Sequence, residues 1–260
     1  MPRALWSGSL SFGLVNVPVA MFSAVRDTGL HFNQLHAKDA ARIETRRFCA
    51  EEDKEIPYES IGHAYDLDGK DVVLTDDELT AIAPERTRTI DIQSFVAAEE
   101  LDPVLFDHPY WLVPTGEAQG PRRAYRLLVE TMAQTDRIAL GRFVFRTRER
   151  LCAVRVRDGV LDLTTLRYAD EVRAVKDMAP GGRKPRKAEL DRAVELLDAL
   201  TVTWDPSSYE DEYTKRLRKV VRDKAKGQTI TVPEEQEEPE PTGDLLAALR
   251  ATIEDLAGKA

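Results

Sequence analysis

Apolar and polar positions alternate along much of the first 170 residues, which predicts a β-rich domain. From Leu5 to Phe22 the alternation is broken by glycine, asparagine and proline, which indicates two strands joined by a tight turn. Asp68–Gly69 and Asp158–Gly159 each separate two apolar runs, and both residue types tolerate the positive φ of a type I′ hairpin turn. We predict further strands at Arg88–Val96, Tyr110–Val113, Ile138–Phe145, Leu151–Val156 and Val160–Leu166, the last three as an antiparallel meander.

Apolar residues at helical spacing predict helices, most of them in the C-terminal third. An amphipathic helix is expected from Pro121 to just before Asp136, inside the β-rich part. Beyond residue 187 the period changes from two to about 3.6. One helix is predicted to carry Leu190 to Leu200, and a second to begin at Asp205, in the sequence DPSS. The predicted organisation is a core over residues 1–187 and a helical region over residues 188–230.

The last thirty residues differ from the rest in composition. Residues 231–243 are acidic and proline-rich, and are too polar to pack a core, so we predict an extended linker. Residues 244–260 are predicted to form a short helix that binds a partner through one apolar face. A helix of this length is marginal alone, and docking on the chain's own core remains an alternative. The face consists of Leu245, Leu246, Leu249, Ile253 and Leu256.

The composition is that of a globular protein: of 260 residues, 42% are hydrophobic and 32% are charged. No run reaches the ~20 apolar residues of a membrane-spanning helix, and no signal-peptide pattern is present, so we expect no membrane partner and a cytoplasmic location. Cys49 and Cys152 are too far apart in sequence to suggest a disulfide framework or a zinc site.

Positive charge is concentrated in one part of this acidic chain. The net charge is −9, yet residues 120–187 contain 17 lysines and arginines against 8 aspartates and glutamates, a local charge of +9. Such a segment can form a basic surface that the overall charge conceals.

Arginines around the predicted meander are the main candidates for phosphate contacts. Four of them fall at even positions, so period-two geometry is expected to place them on one face, opposite Phe143 and Phe145. Other groups open the helix after Pro121, follow the meander in a loop, or lie in the N-terminal half. Arginines of this kind position a protein on nucleic acid without reading its sequence, and a merely solvated strand face is the alternative. The candidate DNA-binding residues are Arg42, Arg46, Arg47, Arg122, Arg123, Arg142, Arg146, Arg148, Arg150, Lys184, Arg186 and Lys187.

Signatures of catalysis are missing from the sequence. It contains no phosphate-binding G-x-x-x-x-G-K-[ST] or G-x-G-x-x-G, no nucleophile elbow G-x-S-x-G and no zinc motif H-E-x-x-H. We therefore predict no catalytic residue, no metal site and no cofactor. A protein-interaction module without preference for DNA ends and, less favoured, a metal-dependent nuclease remain open as alternatives.

Several blocks of the sequence resemble the bacterial Ku family in its short form, without a lysine-rich C-terminal tail. The longest is LWSGSLSFGLVNVPV at Leu5–Val19, and others follow in order, among them RFVFRTRERLCAV at Arg142–Val154 and WDPSSYEDEY at Trp204–Tyr213. The resemblance covers nearly the whole chain. One departure is Glu52, where many relatives have a second cysteine three residues after the position of Cys49, so no family metal site is expected.

The resemblance implies a mixed, β-dominated fold, with a β-barrel core, a protruding bridge arm at roughly residues 34–65 and a C-terminal helical region. It also implies a homodimeric ring, associated with the nucleoid, that is threaded by the ends of double-stranded DNA. The implied partner in non-homologous end joining is the ATP-dependent DNA ligase D, and no enzymatic activity is implied for the chain itself.

Overall fold

The structure, a computed structural model, describes residues 3–82, 87–178, 181 and 184–228. These belong to two compact units, one of Met1–Thr28 with Asn33–Ala174 and the other of Gly29–Phe32 with Val175–Ala260. The predicted linker at 231–243 and the predicted helix at 244–260 lie outside the described residues. The predicted domain boundaries and the limits of the arm stay predictions.

Seven strands of the first unit close into a β-barrel, which confirms the predicted barrel core. The order around the barrel is β1-β2-β8-β11-β10-β9-β7, and all neighbours are antiparallel except β1 and β7, which pair in parallel over Ser9–Ser11 and Thr89–Asp91. Asp68–Gly69 and Asp158–Gly159 have the positive φ angles expected of the two hairpin turns. The barrel strands are β1 (Trp6–Phe12), β2 (Val15–Ser23), β7 (Thr89–Ala97), β8 (Phe106–Pro114), β9 (Arg137–Phe145), β10 (Arg148–Arg157) and β11 (Val160–Leu166); the other strands are β3 (Phe48–Cys49), β4 (Lys54–Glu55), β5 (His63–Leu67) and β6 (Lys70–Leu74).

One helix, α2 (Gln119–Thr135), packs against the barrel and completes its core. It begins two residues before Pro121 and ends where Asp136 takes a left-handed conformation. The buried Tyr125 hydroxyl donates a hydrogen bond to the carbonyl oxygen of Leu112 at 2.7 Å and accepts one from the N–H of Leu161 at 2.9 Å. This side chain thus links the helix to β8 and β11.

Between β2 and β7 the chain forms small elements that bury few side chains. Two hairpins, β3–β4 and β5–β6, are followed by α1 (Asp76–Ala81), which begins with the predicted capping box of Thr75 and Glu78. Tyr65 and Val73 of the second hairpin are each about two-thirds exposed. An isolated two-stranded hairpin is only marginally stable, so contact with another surface would stabilise these elements.

The second unit contains α3 (Lys187–Leu200) and α4 (Glu212–Ala225). The first confirms the helix predicted over Leu190–Leu200, but the start predicted at Asp205 for the second is wrong. The Asp205 carboxylate caps only a single 3₁₀ turn at Pro206–Ser208, and α4 begins where Asp211 accepts the N–H of Thr214 at 2.9 Å. Both aspartates are good N-caps, and only the one followed by a sustained helical run starts a helix. Within the described part of the chain no helix is long and apolar enough to cross a membrane.

Candidate nucleic-acid interface

The turn between β9 and β10 carries a group of arginines at one end of the barrel. Phe145 pairs with Arg148, so the turn consists of Arg146 and Thr147. Arg146 has a φ of 61°, a left-handed conformation that costs a residue other than glycine about 1–2 kcal/mol. Its guanidinium lies 5.6 Å from the centre of the Phe145 ring. The chain therefore holds a cation at the tip of this hairpin at some cost in backbone energy.

The prediction that the four arginines around this hairpin share one face is wrong. Arg148 and Arg150 pair with Phe145 and Phe143, and cross-strand partners lie on the same face, whereas Arg142 pairs with Leu151 on the other face. Across a two-residue turn, an odd-numbered residue pairs with an even-numbered one, as Phe145 does with Arg148. Even positions in β9 therefore share a face with odd positions in β10. Arg142 consequently contacts Glu149, with its Nη1 3.1 Å from the carboxylate.

A cavity of about 520 Å³ lies against Arg146, Arg148 and Arg150. Strands β8 and β11, which are distant in sequence, complete its walls. These contributions were not predicted, because barrel closure brings the strands together and no local sequence signal reports it. Besides the three arginines, the cavity is lined by Leu5, Asp107, His108, Tyr110, Phe145, Thr147 and Thr165.

Three aromatic rings line part of this cavity. The Tyr110 ring lies 4.9 Å from the ring of His108 and 5.8 Å from that of Phe145. Burial raises the pKa of the Tyr110 hydroxyl, and the nearby Asp107 carboxylate raises it further, while Arg146 and Arg150 lower it. The phenol therefore stays protonated up to a higher pH than that of a free tyrosine.

The charges of the three cavity arginines are not balanced by ion pairs. Among the described residues, Arg146, Arg148 and Arg150 have no carboxylate within 4.0 Å. The one acid that lines the cavity, Asp107, is already held by Arg167 at 3.0 Å and by the Thr165 hydroxyl at 3.2 Å. The cavity thus has a net positive charge that a bound anion would neutralise.

A second basic group lies at the start of α2. Arg122, Arg123 and Arg126 line a cavity of about 330 Å³ together with Glu117 and Gln119. Arg122 donates from its Nε to the carbonyl oxygen of Gly116 at 3.0 Å, which fixes its side chain. Cations near a helix N-terminus are repelled by the helix dipole, so their presence there favours an anionic partner.

The two basic groups lie at opposite ends of the barrel. Arg122 and Arg126 line a further cavity with Gly159, which belongs to the turn at the far end of β10, whereas Arg148 begins that strand. At about 3.3 Å per residue, the ten residues of β10 separate the two ends by about 30 Å.

The arginines predicted in the N-terminal half lie in and beside the β3–β4 hairpin. Arg46 is bound by two carboxylates, Glu44 at 3.1 Å and Glu55 at 3.2 Å, so its charge is locally balanced. Arg47 places its guanidinium 5.4 Å from the centre of the Tyr58 ring, and Arg42 forms an isolated bridge with Leu35. All three side chains are exposed.

The remaining predicted cations, Lys184, Arg186 and Lys187, are exposed residues of the second unit that precede or begin α3. The backbone N–H of Arg186 is bound by the Glu189 carboxylate at 2.6 Å. Among the residues that the structure describes, no group of three or more histidines, cysteines, aspartates or glutamates has a geometry suited to a metal ion.

Comparisons with known proteins give one consistent result. Residues 11–192 match the family model described as the Ku70/Ku80 beta-barrel domain. The chain is 41% identical over 236 residues to the non-homologous end joining protein Ku of Anaeromyxobacter sp. (strain K), covering 90% of this chain and 79% of that protein. It is 37% identical over 262 residues to the protein of the same name from Mycobacterium tuberculosis, covering 96% and 94% of the two chains. A third relative, Ku 1 of Geotalea uraniireducens, is 37% identical over 258 residues, covering 98% and 97%.

Proposed function

The chain belongs to the Ku family, and from this premise we propose that it binds the ends of double-stranded DNA without sequence preference, as a ring-shaped homodimer that acts in non-homologous end joining. The proposal includes recruitment of an ATP-dependent DNA ligase, ligase D, which supplies the chemistry of joining. The chain itself would contribute binding and positioning.

The unbalanced arginines at the β9–β10 end of the barrel carry this proposal. Arg146, Arg148 and Arg150 converge on one cavity without carboxylate partners, whereas arginines elsewhere on the surface, such as Arg142 and Arg192, contact glutamates. Contacts from such side chains to phosphates give affinity without reading bases.

The distance between the two basic ends also suits a duplex. One helical turn of DNA repeats every 34–36 Å or so, which is close to the separation of about 30 Å along β10. Both basic groups of one barrel would then contact phosphates on the same side of the duplex, about one turn apart. A two-fold symmetric ring would double these contacts.

The experiment that tests DNA-end binding compares linear, covalently closed circular and hairpin-capped duplexes in a gel-shift assay. We expect tight binding to linear duplex and little to closed circles. Equal binding to all three would favour the alternative of an interaction module without end preference, and cleavage of the DNA on addition of magnesium would favour the nuclease.

A pair of double variants tests the role of the barrel-end arginines. Arg146→Asn with Arg148→Gln removes two unbalanced charges, and asparagine tolerates the left-handed backbone at position 146. Because log K falls with log[salt] by about 0.9 per neutralised phosphate, we expect a shallower slope by up to about 1.8. The control, Arg142→Gln with Arg192→Gln, removes charges already matched by Glu149 and Glu195 and should leave the slope unchanged.

The proposal of a homodimer is supported by an exposed apolar face on α3. Leu190, Val194 and Leu197 lie on that face, and each is at least half exposed in the single chain. A second copy of the chain would cover such a face. Leu197→Asp should therefore give a monomer in light scattering coupled to size exclusion, whereas Ala199→Asp, on the opposite side of the helix, should give a dimer.

For the ligase we retain the predicted helix at 244–260 as the docking element. Deletion of residues 241–260 should leave DNA binding intact and weaken stimulation of ligase D. Loss of dimerisation after the deletion would contradict this and would favour the alternative, in which the helix docks on the chain's own core.

A further inference from the structure

The cavity at the β9–β10 end of the barrel combines two kinds of surface that rarely occur together. Its lining includes Arg146, Arg148 and Arg150 together with the aromatic residues His108, Tyr110 and Phe145, and the Arg146 guanidinium lies 5.6 Å from the centre of the Phe145 ring. Tyr110 and Phe145 also pack at the end of the barrel core, whereas His108 is exposed.

We propose that this cavity binds the terminal nucleotide of a DNA strand, with its phosphate monoester on the arginines and its sugar and base against the aromatic rings. The proposal rests on the proposed function, in that it assigns one part of the DNA end to one pocket of the barrel.

The size and the entrance of the cavity fit a ligand of this class. Its volume of about 520 Å³ is within the range of small-ligand pockets and exceeds what a single phosphate requires. The His108 side chain is exposed at the cavity, so its ring is available for stacking, which is tolerant of base identity.

The charge of the cavity favours a strand terminus over an internal phosphate. An internal diester carries one negative charge, whereas a terminal monoester carries about 1.5 to 2 near pH 7, as phosphorylated side chains do. Three guanidinium groups without carboxylate partners therefore bind the monoester more strongly. Asp107 does not cancel them, because it is bound by Arg167 and by Thr165.

A neighbouring cation extends the positive surface beyond the cavity. Arg146 also lines a smaller cavity of about 140 Å³, together with Arg88 and Trp6. Its side chain thus stands between the two cavities, in a position to contact the terminal phosphate and the next phosphate along the strand.

The test uses a single-stranded DNA hexanucleotide with either a phosphate or a hydroxyl at its 5′ end, with binding to the full chain followed by isothermal titration calorimetry. We expect the phosphorylated strand to bind at least tenfold more tightly than the hydroxyl strand. Equal affinities for the two strands would overturn the proposal.

Two variants locate the effect in the cavity. Arg148→Gln with Arg150→Gln should abolish the preference for the phosphorylated strand, whereas Arg122→Gln with Arg123→Gln, at the opposite end of the barrel, should keep it. Equal loss in both variants would show an effect of overall charge and would also overturn the proposal. Thermal unfolding of each variant verifies that it is folded.

Two further measurements complete the test. The first distinguishes a strand terminus from a free nucleotide as the ligand, and the second distinguishes failure of this inference from failure of the proposed function. Free 5′-dAMP has the same chemistry as a strand terminus, and binding as tight as that of the phosphorylated hexanucleotide would overturn the assignment to a strand end. A blunt duplex with hydroxyl ends measures ring binding alone. If the wild-type chain binds this duplex but shows no preference for the phosphorylated strand, only the assignment of the pocket is refuted. If the wild-type chain does not bind this duplex, the proposed function is refuted.

Discussion

Replacement of Tyr125 by phenylalanine removes one oxygen atom from the centre of the contact between α2 and the barrel. In the native chain that hydroxyl serves two backbone groups, the carbonyl of Leu112 at 2.7 Å and the N–H of Leu161 at 2.9 Å. Tyr125 is 7% exposed, and both leucines are fully buried. Water therefore has little access to the groups that the substitution would leave without a partner.

The size of the effect follows from the two groups left unsatisfied. A buried donor or acceptor that loses its partner costs about 1–3 kcal/mol. An N–H has a single proton to donate, whereas a carbonyl oxygen has two lone pairs and loses less. We expect a loss of about 2–4 kcal/mol in the free energy of unfolding, with the ring packing unchanged.

Equilibrium unfolding in urea, followed by circular dichroism at pH 7, measures this loss. The matched control is Tyr65→Phe, which removes the same atom from a ring that is 67% exposed and should change stability by less than about 0.5 kcal/mol. If the two variants lost stability equally, the bridging hydroxyl would not be what joins α2 to β8 and β11.

Three further perturbations give expectations of known sign. Gly141→Ala would place a Cβ 2.5 Å from the Asp91 carbonyl oxygen in the neighbouring strand, so we expect the free energy of unfolding in urea to fall by about 1–3 kcal/mol. Gly120→Ala is the control: it has open space around it on α2 and should raise the free energy of unfolding by up to about 1 kcal/mol. Burial raises the pKa of the Cys152 thiol from 9.0 to about 12, so its contribution to stability is fully present below pH 9 and decreases by up to about 4 kcal/mol as the pH rises towards 12. Urea midpoints measured between pH 7 and 11 should therefore fall less steeply in Cys152→Ala than in the wild-type chain, and parallel curves would contradict this. Asp211→Ala removes the carboxylate that accepts the Thr214 N–H and should destabilise α4 by about 1 kcal/mol. We expect a smaller helical circular dichroism signal during thermal unfolding. The control, Asp198→Ala inside α3, should leave this signal nearly unchanged.

Features determined by neighbouring residues could be predicted from the sequence. The Asp–Gly turns, the capping box of Thr75 and Glu78 and the meander of β9 to β11 depend on residues a few positions apart, and the structure confirms them. The closed barrel was expected only because the sequence resembles a known family. Its parallel seam between β1 and β7 joins residues about eighty positions apart, which local periodicity cannot report.

The candidate site was predicted only in part for the same reason. Arg146, Arg148 and Arg150 were found because they are close in sequence, but the face of Arg142 was mistaken, since the parity of facing residues changes across a two-residue turn. His108, Tyr110 and Thr165 reach the same cavity only through the pairing of β8 with β11 and of β11 with β10. No charge count or periodicity could have selected them.

The parallel seam between β1 and β7 has a consequence for synthesis of the chain on the ribosome. The first strand emerges early and can form a hairpin with β2 at once, yet its other edge stays without a partner until β7 has been made. Three aligned residue pairs then join β7 to β1, and the small elements between β2 and β7 form part of the loop that this step must close. The cylinder itself closes only when β8 to β11 have also been made and paired. Until then the nascent protein presents open strand edges, so a trigger-factor-type chaperone should be needed most between translation of residue 23 and residue 166.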